Sequence, residues 1–179
     1  MKELLVGNAP CSWGTLENQD KSQAIPFDRM LDELVETGYT GTELGDWGYM
    51  PTDPSLLGEE LRRRNNVVML GAFVPVAMKN PDAHQEGAER AIKTARLIAS
   101  VATTQAPFLV LADDNGTDPE RTLLAGRVTP RVGLTRDEWR TERTGSQKPS
   151  LTRPDCARCC ITIAQATWKR RMRLQRSST

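Results

Sequence analysis

Apolar positions alternate between two spacings along most of this chain. Residues 3–10, ELLVGNAP, are a short apolar run closed by a turn signal, the pattern of a buried strand. PFDRMLDELVETG (26–38) then sets Phe27, Met30, Leu31, Leu34 and Val35 on one helix face, with Pro26 opening it and Gly38 at its end. YTGTELG (39–45) predicts a second strand. SLLGEELRRRN (55–65) predicts a second helix, for which Asp53 and Ser55 are both candidate caps. VVMLGAFVP (67–75) is a third strand. The long stretch PDAHQEGAERAIKTARLIASVA (81–102) is a third helix, with a stripe of Ala91, Ala95, Leu97 and Ile98. PFLVLAD (107–113) is a fourth strand, and RDEWRTE (136–142) starts one more helix.

Strand and helix thus alternate four times, and the strands are apolar on both faces. Strands buried on both sides are parallel strands covered by helices, so the fold class is α/β. Four units do not decide between an open doubly wound sheet and a barrel. No G-x-G-x-x-G follows the first strand, which speaks against a dinucleotide site. Residues 113–135 have no clear periodicity and read as a long loop. Polar residues gather after each strand, in APCSWG, ELGDWG, VPVAMKN and ADDNG. Asp, Asn, Gly and Pro are ordinary turn residues there. Trp13 and Glu43 are not turn formers, and both sit at strand ends.

Composition changes the picture at one place. At 179 residues the length fits one domain, but residues 144–179 hold eight Lys or Arg against Asp155 alone. That segment carries +7, so the first 143 residues carry −6 within an overall +1. The cysteines divide at the same place: Cys11 stands apart, whereas Cys156, Cys159 and Cys160 crowd into CARCC. Two compositions meet near Arg143. No run approaches the ~18 apolar residues of a membrane span, and MKELLVGNAP has no apolar signal core. The expectation is a cytoplasmic protein with no membrane partner.

The motifs NAPCSWG, GYTGTELGDWGYMPTDP, LGAFVPVAMKNP and PFLVLADDNGTDPERT, one at each strand end, resemble those of inosose dehydratases. More broadly they resemble xylose-isomerase-like sugar isomerases and epimerases, from about Leu5 to Trp139. The resemblance implies a (β/α)8 TIM barrel acting on a sugar or a cyclic polyol such as a keto-inositol. It also implies a divalent metal, manganese or cobalt, that polarises a carbonyl or hydroxyl while a side-chain base moves a proton. By resemblance Glu43 is the candidate catalytic residue, binding a sugar hydroxyl or assisting at the metal. Trp13, Ser12, Asp113, Asp114 and Asn115 are the candidate substrate contacts.

The chain also departs from that family. A barrel takes at least ~200 residues, and only four strands are read here, so residues 1–143 are expected to be the N-terminal half of one. Family members carry metal-binding acids and histidines mainly on later strands. His84, the one histidine, lies in a helix, so this chain is expected to bind no metal. Cys11 has no nearby histidine to activate it and reads as a small buried neighbour rather than a nucleophile.

The tail offers a reason. The family's next strand carries a histidine cluster of the kind His-His-His-Cys-Ala-Gly-Tyr-Val-Glu. Taking the third base of each codon with the first two of the next, Ile161 to Ala164 can encode His-His-His-Cys. Gln165 to Lys169 then permit Ala-Gly-Tyr-Val-Glu. Residues 144–179 therefore read as an out-of-frame, irregular and disordered basic tail, and the whole as truncated and inactive. On that reading CARCC, with no fourth ligand, is not a zinc site. KRRMRLQR has clustered charge but one nearby aromatic, Trp168, and no specific nucleic-acid partner is expected. Self-association through exposed sheet edges is expected instead. The rival reading is a non-enzymatic half-barrel binding protein whose basic tail contacts nucleic acid or anionic surfaces.

Overall fold

A computed structural model describes residues 4–14, 25–113, 118–124, 127, 129–138 and the backbone of Cys160–Ala164. Strand β1 is Gly7–Asn8, followed by a 3-10 turn at Pro10–Trp13 and helix α1 at Phe27–Glu36. Strand β2 (Gly41–Glu43), helix α2 (Pro54–Arg63) and strand β3 (Val68–Val76) come next. A 3-10 turn at Pro81–Ala83 leads into α3 (His84–Ser100), then β4 (Phe108–Asp113), α4 (Pro119–Leu123) and β5 (Cys160–Ala164).

All five strands are parallel and lie in the order β1-β2-β3-β4-β5. Each strand pairs with the next in the chain. A doubly wound sheet reverses its strand order at a switch point; this one does not, an order compatible with part of a barrel.

The helix boundaries follow local chemistry. Asp53, not Ser55, caps α2: its carboxylate accepts from the Ser55 and Leu56 amides at 2.9 and 3.0 Å. Helix α1 ends at Gly38, whose φ of +87° allows Tyr39 N–H to reach the Leu34 carbonyl at 3.1 Å. On α3 the expected stripe of Ala91, Ala95, Leu97 and Ile98 is buried. Arg64, just past α2, ties the first two helices together by pairing with Asp32 and Glu60, each at 2.5 Å.

Two segments differ from the sequence reading. The stretch 113–135 reads in sequence as a long loop, yet it contains α4, because Asp118 caps the Glu120 and Arg121 amides and Pro119 presets the first turn. The tail was expected to be irregular, yet the backbone of Cys160–Ala164 pairs with β4 from Phe108 to Ala112. The β-branched run Ile161-Thr162-Ile163 suits an extended strand. The remainder of 144–179 lies outside the described residues.

Helices cover one face of the sheet. On β3, Val76 meets α3 so closely that a Cβ on Gly87 would lie 2.5 Å from its Cγ1. Val74, Val76, Leu109 and Leu111 share that covered face and join Met30, Leu34, Leu57, Leu61, Ala95 and Ile98 in the core. The alternate residues point the other way. There Phe73 is 40% exposed and Phe108 is 49% exposed. Among the described residues no helix is long and apolar enough to cross a membrane.

Candidate functional site

The residues singled out at the strand ends divide between the two faces of the sheet. Thr42 is wholly buried, so its neighbour Glu43 points to the opposite side, together with Gly41. Leu70 lies on that side too, across both Gly41 and Gly7: a Cβ on either glycine would come within 2.6 or 2.2 Å of its Cδ1. The register fixes the relation to the next strands. Thr42 is level with Met69 but Glu43 with Gly71, so Leu70 is an extra residue on β3. Gly71 shares its face with Phe73, and Glu43 therefore stands on the exposed face.

Glu43 is half-buried, and burial pushes its carboxyl above the usual 4.5. Among the described residues its carboxylate has no hydrogen-bond or ion-pair partner. Gly71 opposite it presents no side chain, because a Cβ there would lie 2.5 Å from the Phe108 carbonyl oxygen. Such a carboxyl can donate or accept a hydrogen bond, and it holds its proton to higher pH than a solvated one.

Asp113 lies elsewhere. It is level with Val76, five residues along β3 from the Gly71 that faces Glu43. Five residues of strand span about 16 Å. Its side chain is on the covered face with Leu109 and Leu111, 2% exposed, and pairs with Arg121 of α4, itself 1% exposed. Its other oxygen accepts from the Met78 amide at 3.3 Å. Among the described residues the Arg121 Nε, which is buried, has no hydrogen-bond partner. Arg121 was not singled out from sequence; its signal is the Asp118-Pro119 cap, which starts a helix and turns this arginine toward β4.

The turn after β1 is built around local bonds. Trp13 donates its indole N–H to Glu33 of α1 at 2.9 Å, and Arg29 holds the other Glu33 oxygen at 2.8 Å. Arg29 first, then Trp13, lowers the Glu33 carboxyl below its usual value. Ser12 donates its hydroxyl to Asn8 Oδ1 at 2.8 Å. Cys11, expected from sequence to be buried, is exposed on the 3-10 turn, and its thiol is free. Asp114 and Asn115 lie outside the described residues. After β2, the Lys93 ammonium sits 4.1 Å from the centre of the Trp47 ring, and Tyr49 donates to the Ile25 carbonyl at 2.9 Å. Burial, then the charge of Asp28, pushes the Tyr49 hydroxyl up to about 12.

These positions do not fit a metal centre. Glu43 and Asp113 are on opposite faces, and both Asp113 oxygens are engaged. His84 directs Nε2 to the Met78 carbonyl at 3.0 Å. Among the described residues no three of His, Cys, Asp and Glu come together.

No family model matches the chain, and no solved structure matches it. Among curated proteins it is similar to the inosose dehydratases of Mesomycoplasma hyopneumoniae strains 7448, 232 and J. Each is 35% identical over 65 residues, 36% of this chain and 21% of the relative. The chain thus spans about a fifth of the length of the curated relatives it matches. That similarity supports a distant relationship to inosose dehydratase over those 65 residues.

Proposed function

We propose that residues 1–143 are the N-terminal half of a TIM barrel whose complete form isomerises or dehydrates a sugar or cyclic polyol such as a keto-inositol. The observation that carries this reading is Glu43, a half-buried carboxyl at the C-terminal end of a parallel strand. Enzymes of barrel-like β/α winding place their chemistry at that end. The singly wound strand order and the partial likeness to inosose dehydratase support it. In this reading Glu43 binds a sugar hydroxyl or moves a proton at it. Ser12, Trp13, Asp114 and Asn115 are the further substrate contacts in this reading.

In this reading the 179-residue chain has no turnover. The manganese or cobalt of the intact family needs donors that the described residues do not bring together. The tail beyond about Arg143 is an out-of-frame translation, which removes the histidine cluster encoded across Ile161 to Ala164. A cytoplasmic location and self-association through the sheet edges complete the proposal.

The test is genetic and enzymatic. Sequencing the locus from the Trp139 codon onward is expected to yield, after a one-base correction, a frame containing His-His-His-Cys. The corrected protein then converts a keto-inositol or a related sugar in the presence of manganese or cobalt, and Glu43→Gln lowers its rate by about 10²–10⁴-fold. Metal-dependent turnover by the 179-residue chain itself would overturn the inactive assignment.

The basic tail favours one second reading, a non-enzymatic half-barrel anchored to nucleic acid or an anionic surface. Deleting Thr144–Thr179 separates the two. A built anchor loses binding that depends on salt, whereas an out-of-frame tail loses nothing specific.

A further inference from the structure

We draw no further inference here: the strongest candidate, the sheet face carrying Phe73 and Phe108 opposite the helices, is an apolar patch for which nothing in the structure shows what covers it.

Discussion

Asp113 and Arg121 are paired behind the sheet, on the face opposite Glu43, and neither is reached by solvent. The pair joins the end of β4 to α4, and the Met78 amide brings the end of β3 to the same carboxylate. Removing one member of a buried pair leaves the other charge without its counterpart, at a cost of about 3–5 kcal/mol. Arg121→Met is therefore expected to lower the urea midpoint sharply. The double variant Asp113→Asn/Arg121→Met should recover most of the loss. Equal loss in the single and double variants would show that Arg121 contributes packing rather than charge.

Glu43 sets a pH dependence. Its carboxyl is raised from the usual 4.5 by burial, so the folded state holds this proton more tightly than the unfolded chain does. The associated stability is present below the unfolded value and is lost as pH rises through the folded one. Glu43→Gln has no such loss. The stability of the parent protein relative to Glu43→Gln should fall as pH is raised from about 4 toward 7. Urea titrations at several pH values check it, and parallel profiles for the two proteins would contradict it.

Gly87 of α3 packs against Val76 of β3 with no room for a side chain between them. Alanine in place of glycine favours a helix by about 1 kcal/mol. The new methyl would sit 2.5 Å from one Val76 methyl and 3.0 Å from the other, so rotating the valine only exchanges one clash for another. Overpacking of this kind costs about 1–3 kcal/mol. Gly87→Ala should thus be neutral to destabilising in thermal unfolding, and adding Val76→Ala should relieve the clash.

Trp13 is one of two donors to Glu33. Replacing it by phenylalanine removes the indole N–H and keeps a smaller aromatic ring in its place. The Glu33 carboxyl should then titrate closer to its usual value, yet remain below it, because the Arg29 bond is the larger cause. Carboxyl NMR titration reads this shift directly. An unchanged titration would place the indole elsewhere in solution.

The apolar runs were enough to place four strands and the three longer helices, because each run is bounded by a turn or a cap. The first run reads as a buried strand, but its strand is only Gly7–Asn8, and Leu4 and Val6 are exposed. The runs could not tell which strand face the helices cover. In FLVLAD both faces are apolar, so Asp113 read as a strand-end residue, although it shares its alternation with Leu109 and Leu111. Leu70 hides the same information on β3. One extra residue inverts which positions point to the helices, and nothing in VVMLGAFVP marks where it falls. Helix α4 was legible in Asp118-Pro119 but too short to show a period. The Trp13–Glu33 bond joins residues 20 apart, and only the tertiary fold brings them together.

Pairing in chain order also governs how the sheet is built. The partners Gly7 and Gly41 are 34 residues apart, Gly41 and Val68 are 27, and Gly71 and Phe108 are 37. Phe108 and Cys160 are 52 apart, the longest of these closures. Loop closure costs more as the loop lengthens, though slowly. Each strand except β5 therefore finds its template within one helix-and-turn of itself, and the chain can assemble its sheet from the N-terminus as it leaves the ribosome, with β5 the last to dock.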